Sequence, residues 1–244
     1  MTTSSLTLKI GPGDTAPDAG NLGATYDQVI ATVPVRDVPY PWVQLVRPGG
    51  ELVVTWHNPF AGAAIARLSV AADGRAAGNF VELADVACED EPTPVIAEAE
   101  NAVPWYRTTT PLDPDTVWSD PAALFALGVR LPRLRSVGQR TGPQRLPRAD
   151  QAQKDLTPRL DGTEAESRRW VYDGTSCACA VRGPSGEIQV EQHGPRLLWR
   201  EIEAAYKWWL DHDQPAFDSF GLSVTSFGQF AWLGHRCSGR IWRL

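Results

Sequence analysis

Residues 26–56 read YDQVIATVPVRDVPYPWVQLVRPGGELVVTW, and the fold turns on how this stretch is read. Two short apolar runs, Gln28 to Thr32 and Glu51 to Thr55, are rich in β-branched residues and too short for helices. That pattern predicts strands buried on both faces. Between them a Pro-broken segment, 34–46, runs into Arg47-Pro48-Gly49-Gly50. Pro48 presets φ and the two glycines accept backbone angles that other residues resist, so this reads as a tight turn. Strand, connection, turn and strand in that order predict an open α/β sheet.

Working outward, residues 6–10 alternate like a strand, and Gly11-Pro12-Gly13-Asp14-Thr15-Ala16 follows. On paper this fits the dinucleotide pattern G-x-G-x-x-A. We reject that reading, because Pro12 removes a backbone donor where phosphate needs donors and residues 17–23 cannot open a helix. Downstream, the runs Ala63 to Val70 and Arg75 to Leu83 flank Asp73-Gly74, a strong hairpin signal.

Residues 101–168 carry prolines at 104, 111, 114, 121, 132, 143, 147 and 158. One short helix is predicted there, with Asp120 as N-cap and Pro121 at its first position. Residues 138–169 are polar and read as a loop or linker. Arg130, Arg133, Arg135, Arg140, Arg145 and Arg148 make this region locally basic, either as a solvated loop or for contact with an acidic peptide. From Trp170 the composition changes. Trp170 to Tyr172, Ser176 to Val181 and Glu187 to Gln192 read as strands, with a turn at Pro184-Ser185-Gly186. A helix is predicted with Gly194 at its N-cap and Pro195 at its first position. Its apolar stripe is Leu198, Ile202, Ala205, Tyr206 and Trp209. Leu222 to Thr225 and Gln229 to Leu233 form a last hairpin around Ser226-Phe227-Gly228. The predicted organisation is therefore 1–100, 101–168 and 169–244.

With 23 basic and 29 acidic residues the net charge is -6, which argues against a general binder of nucleic-acid backbone. The opening MTTSSLTLKI lacks a charged n-region and an apolar h-region, and no apolar run reaches the roughly 18 residues that a membrane span needs. A cytoplasmic protein without membrane contact is expected. Cys177-Ala178-Cys179, with His193, His212 and His235, offers zinc ligands but no C-x₂-C pair. In a strand, Cys177 and Cys179 share one face and read as small core residues, so no metal is expected. Trp199, Trp208, Trp209, Trp232 and Trp242 concentrate at one end, as core or as a peptide groove.

YDQVIAT followed by VRPGGELVV resembles the protein-L-isoaspartate O-methyltransferases, and ATVPVRDVPYPWVQLVRPGG their actinobacterial branch. HGPRLLWREIEAAYKWW and FGLSVTSFGQFAWL are similar to the C-terminal extension of that branch, which includes methyltransferases of ribosomally made peptides. The resemblance implies an S-adenosylmethionine-dependent carboxyl methyltransferase of aspartyl or isoaspartyl residues. It also implies a Rossmann-like sheet ordered 3-2-1-4-5-7-6, of which this sequence carries strands three onward. The resulting fold class is α/β: a partial Rossmann-like sheet lacking its first strands, plus a C-terminal α+β module. Without strands one and two, Leu6 to Ile10 is expected to lack its neighbour. The chain reads as a fragment, a mis-started product or one half of a split enzyme.

By the same resemblance Gly13 and Asp14 are cofactor-side residues, with Asp14 accepting from the adenine amine. Thr32, Val33 and Pro34 are substrate-side residues, and Thr32 carries the catalytic role. Read without the resemblance, Asp14 sits in a solvated Gly/Pro turn and Thr32 is an ordinary strand-end threonine. S-adenosylmethionine is expected to bind only if the N-terminal half is supplied. The expected partners are a protein or peptide carboxylate, a separate N-terminal half and peptide-maturation enzymes. The alternative is a non-catalytic peptide-binding module, in which the sheet only supports the Trp-rich end.

Overall fold

A computed structural model describes residues 7–11, 26–85, 106–137, 168–183, 185–236 and 239–244. The first elements are β1 (Thr7–Ile10), β2 (Tyr26–Val35), α1 (Tyr40–Leu45), β3 (Val46–Asn58), β4 (Gly62–Val70) and β5 (Ala76–Ala84). Next come β6 (Tyr106–Thr110), α2 (Pro114–Trp118), α3 (Pro121–Arg130), β7 (Arg135–Val137), β8 (Arg168–Tyr172), β9 (Cys177–Arg182) and β10 (Ile188–His193). The chain closes with α4 (Leu198–Leu210), a short 3-10 turn (Phe217–Ser219), β11 (Phe220–Thr225), β12 (Gly228–Leu233) and β13 (Ile241–Arg243). Two compact units result: Met1–Glu91 with Ala122–Pro132 and Trp209–Leu244, and Pro92–Pro121 with Arg133–Trp208. Among the described residues no helix is long and apolar enough to cross a membrane.

The first unit is built on an eight-stranded mixed sheet in the order β1-β2-β3-β4-β5-β11-β12-β13. β1, β2 and β3 run parallel, and the rest of the sheet is antiparallel. The expectation that residues 6–10 lack a neighbour is corrected. β1 pairs directly with β2 over Thr7↔Gln28 to Ile10↔Ala31, so the strand next in sequence satisfies the backbone groups on that side. β4 pairs with β3 and β5 with β4, so the hairpin runs as a meander and not in the crossed order that the resemblance implies. Gly74, at φ +78, makes its turn. The strands are not buried on both faces. Val29, Ala31, Leu52 and Val54 are fully buried, while Gln28, Ile30, Glu51 and Val53 on the other face are half-covered.

The Pro-Gly-Gly stretch is a bulge inside β3, not a turn before it. Pairing jumps from Tyr26↔Val46 to Gln28↔Glu51, so residues 47–50 arch opposite Asp27. Gly49 takes φ +80, and a Cβ on Gly50 would lie 2.6 Å from the Asp27 carbonyl oxygen. The Arg47 guanidinium pairs with the Asp27 carboxylate across the arch. α1 opens at Pro39 with Pro41 in its first turn, buries Trp42, Val43 and Leu45, and ends where Val46 turns extended.

Over this sheet, α3 contributes Phe125, whose ring centroid lies 4.9 Å from that of Phe80, 5.6 Å from Phe220 and 6.0 Å from Trp56. The edge-on arrangements suit ring quadrupoles. Asn58, at the end of β3, is 1% exposed and ties the corner together. It donates to Gly128 O at 2.9 Å and accepts from Phe60 N and Ala61 N at 2.9 and 3.0 Å. A Cβ at position 128 would come within 2.7 Å of its Oδ1, which explains the glycine in mid-helix.

β11 joins this sheet by pairing Gly221↔Asn79 with β5, so residues 169–244 do not form one module. Their strands divide between the two units at α4. The second unit holds a five-stranded antiparallel sheet, β6-β10-β9-β8-β7. α2 was not read from sequence; Asp113 caps it by accepting from Asp115 N. α4 starts at Leu198, later than predicted, because Gly194 takes φ +101 and residues 194–196 bend. Its first turn is capped from β10, where the buried Gln192 Oε1 accepts from Trp199 N at 2.8 Å. Leu198, Ile202, Ala205 and Trp209 are buried as the stripe predicts, with Tyr206 half-covered. Trp199 is buried as well and stacks on Trp118 at 6.2 Å and 5°.

The turn before β9 is held by Asp173, whose carboxylate accepts from Thr175 N, Ser176 N and the Arg196 guanidinium. Arg196 also binds Glu201 in α4. Burial alone would raise the Asp173 carboxyl, but the two backbone N–H groups, then Arg196 and the Thr175 hydroxyl, outweigh it and hold the pKa below the usual value. A carboxylate depressed in the folded state stabilises above its ordinary range, and that stabilisation is lost as pH falls through the folded pKa. The native protein should therefore lose this stabilisation as pH falls through the lowered Asp173 pKa, and Asp173→Asn should flatten the acid limb. An unchanged acid limb in Asp173→Asn, followed by circular dichroism, would contradict this. Asn58→Ala strands two N–H groups and one carbonyl, so urea unfolding should show a loss of about 3 kcal/mol.

Candidate functional site at the carboxyl edge of the parallel strands

In an open sheet with parallel strands, ligand sites form beyond the carboxyl ends of those strands. Here that edge is made by Ile10 and Gly11 after β1, by Thr32 to Val35 in β2 and by Trp56 to Asn58 in β3. Pairing jumps from Ala31↔Val54 to Pro34↔Thr55, leaving Thr32 and Val33 as a two-residue bulge. Pro34 has no N–H for the ladder, which is the local reason for the break. The bulge turns Thr32 outward, where it is exposed, with Val33 and Pro34 half-covered beside it. Thr32 Oγ1 donates to Ile10 O at 3.2 Å, which links the ends of β1 and β2. Thr32, Val33 and Pro34 thus sit near the carboxyl end of β2, which runs on to Val35. Gly13 and Asp14 lie outside the described residues, as does most of the predicted linker.

Two residues of this edge had no chemical signal in the sequence reading. Gln229 of β12 is 5% exposed and accepts from Val38 N at 3.1 Å through Oε1. Its Nε2 donates to Arg36 O at 2.7 Å and to Asp37 Oδ1 at 3.2 Å. Arg36 O also accepts from Trp56 Nε1 at 3.0 Å, and the Arg36 guanidinium donates to Pro132 O at 3.0 Å. The segment that leaves β2 is therefore fixed by a side chain 191 residues away. A glutamine within the otherwise apolar run Gln229 to Leu233 was the available hint.

The hollow among Arg36, Trp56, His57, Asn58 and Gln229 has about 10 Å³, room for about one water molecule. A nucleoside-sized ligand needs on the order of several hundred Å³. The described residues at this edge therefore do not by themselves fit S-adenosylmethionine. A larger groove, about 460 Å³, lies on the second sheet and is lined by Arg107, Thr108, Thr109, Gln189, Val190 and Glu191. Cys177 and Cys179 are buried, and burial raises Cys177 to about 11, which makes it a poor nucleophile. Among the described residues no group of three or more His, Cys, Asp or Glu is placed to hold a metal ion.

Gln229→Leu removes three hydrogen bonds while keeping the volume apolar, and leaves Val38 N–H without its acceptor. We expect a loss of about 2 kcal/mol in urea unfolding and a shifted Trp56 environment in near-ultraviolet circular dichroism. Native stability with an unchanged spectrum would show that the clamp is immaterial.

No protein-family model matches the chain, and no curated protein matches it. Among solved structures, one of a protein-L-isoaspartate O-methyltransferase is similar over 87% of this chain, at 14% identity and a TM-score of 0.34. This chain covers 55% of the length of that one.

Proposed function

We propose that this chain serves S-adenosylmethionine-dependent methylation of aspartyl or isoaspartyl carboxylates in a protein or peptide, and that it contributes the substrate side of the site. The observation that supports this reading is the bulge at Thr32, Val33 and Pro34, bonded to the end of β1 through Thr32 and Ile10. β1 leads into Gly11, and the cofactor-side candidates Gly13 and Asp14 follow two and three residues later in sequence. Gly11 after β1 and the Thr32 to Pro34 set thus lie along one edge of the sheet, on adjacent parallel strands.

The cofactor would supply an electrophilic methyl group. A carboxylate is already ionised at neutral pH, so the chain needs no general base for it and its work is positioning and exclusion of water. Val33 and Pro34 offer an apolar wall. Thr32 spends its hydroxyl hydrogen on Ile10 O and presents its lone pairs outward; turning about χ1 would aim the donor at a substrate carboxylate at the cost of one hydrogen bond. Because the hollow at this edge takes one water, most cofactor contacts must come from residues other than those described there. A second reading, a peptide-binding module without catalysis, is favoured by the 460 Å³ groove on the other sheet.

The test is a titration followed by an activity assay. The chain alone should show no micromolar binding of S-adenosylmethionine by calorimetry. Combined with the N-terminal half of a family member, it should form base-labile methyl esters on an aspartyl or isoaspartyl peptide. In that complex Thr32→Val should lower kcat on the order of 100-fold with cofactor affinity unchanged. Asp14→Ala should weaken cofactor binding by about 1–3 kcal/mol. Methylation confined to nucleic acid or to amines would refute the carboxylate reading.

A further inference from the structure

The sheet of the second unit ends in β6, and among the described residues nothing pairs with its outer edge. Exposed edges are usually blunted by proline, bulges or inward charges. β6 has none of these: its five residues, YRTTT, keep an unbroken register with β10 from Tyr106↔Gln192 to Thr110↔Ile188. The threonines also suit a strand.

Tyr106 and Arg107 are neighbours, so their side chains point to opposite faces of the sheet. On one face the Arg107 side chain is 69% exposed, with Nε 2.7 Å from the Glu191 carboxylate, which is 6% exposed. The open groove of about 460 Å³ lies beside it. On the other face Arg200, exposed on α4, places its guanidinium 5.7 Å from the centroid of the Tyr106 ring and donates to Tyr106 Oη at 3.3 Å. Among the described residues Arg200 has no carboxylate partner, so its charge stays uncompensated. One end of the edge therefore carries a guanidinium above and below the sheet. At the other end Thr110 donates to the Glu203 carboxylate, which sets an acidic group there.

We propose that β6 accepts an extended acidic segment of a protein or peptide as an added strand, with two successive carboxylates meeting Arg200 on one face and Arg107 on the other. Backbone pairing supplies affinity, since the outward N–H and C=O groups of residues 106–110 gain partners. Alternation supplies specificity, because consecutive side chains of the added strand fall on opposite faces, where the two guanidinium groups stand. Glu191 neutralises part of the Arg107 charge and fixes its position over the groove, so Arg200 carries the larger electrostatic share. Glu203 sets the register, because it repels a carboxylate placed beside Thr110. None of this requires methyl transfer, so binding succeeds or fails apart from the catalytic reading.

The probe is a fluorescein-labelled hexapeptide with two adjacent aspartates among valines and threonines, followed by anisotropy with the full chain at low salt. Binding is expected, weakened about tenfold by Arg200→Glu and by Arg107→Gln, and retained in Arg200→Lys. The same peptide with N-methylated backbone amides, and its dilysine counterpart, should bind at least about tenfold more weakly. Arg200 is exposed, so its replacement leaves the fold intact, and a melting curve checks Arg107→Gln. Absence of binding to the native chain overturns the proposal. So does equal binding of the N-methylated or dilysine peptide, or an unchanged Kd in Arg200→Glu.

Discussion

Each backbone N–H and C=O in a sheet must find a partner, and in the first unit this requirement sets the order of the strands. β2 has two edges. β3 takes one over Gln28↔Glu51 to Ala31↔Val54, and β1 takes the other over four residues. Among the described residues the parallel part of the sheet consists of β1, β2 and β3. The two departures from regular pairing follow from residues that cannot serve the ladder. Pro34 lacks a donor, and Gly49 at φ +80 bends the chain out of register. Both bulges lie on the β2·β3 pair, one at each end, so the regular stretch between them is short and, beyond the Gln28 and Glu51 pair, apolar.

Much of the secondary structure was legible. The runs at 28–32 and 51–55, the Asp73-Gly74 hairpin, the Ser226-Phe227-Gly228 hairpin and the stripe of α4 all have local signals, and each element formed. Pairing partners were less legible, because a strand's composition does not say which edge it will meet. Nothing in Phe220 to Thr225 points to Ala76 to Asn79, yet these pair. The Pro-Gly-Gly stretch failed for a different reason: the backbone freedom that permits a turn also permits a bulge. At the candidate site, Thr32 to Pro34 could be placed from the strand boundary. Gln229 and Arg36 could not, since a glutamine becomes meaningful only once its burial and its three partners are known.

The two sheets hold their polar interior groups in different ways. In the first unit Asn58 and Gln229 are neutral amides that satisfy backbone groups at corners. The second unit relies on charge, through Asp173, Arg196 and Glu201 around one turn and through Glu191 with Arg107 on the sheet. Neutral amides do not titrate, whereas the Asp173 carboxylate, held below its usual pKa, does.

The pairing of β5 with β11 carries a consequence for synthesis. Asn79 of β5 meets Phe220, 141 residues further along the chain. At the rate of a translating ribosome, that interval lasts roughly ten to thirty seconds. Throughout it, β5 is made and hydrogen-bonded to β4 while its other side waits as a bare strand with Val81 outward. An open nine-residue strand edge of this kind is a template for pairing with other chains. The edge that β11 closes in the finished chain is thus open for most of elongation.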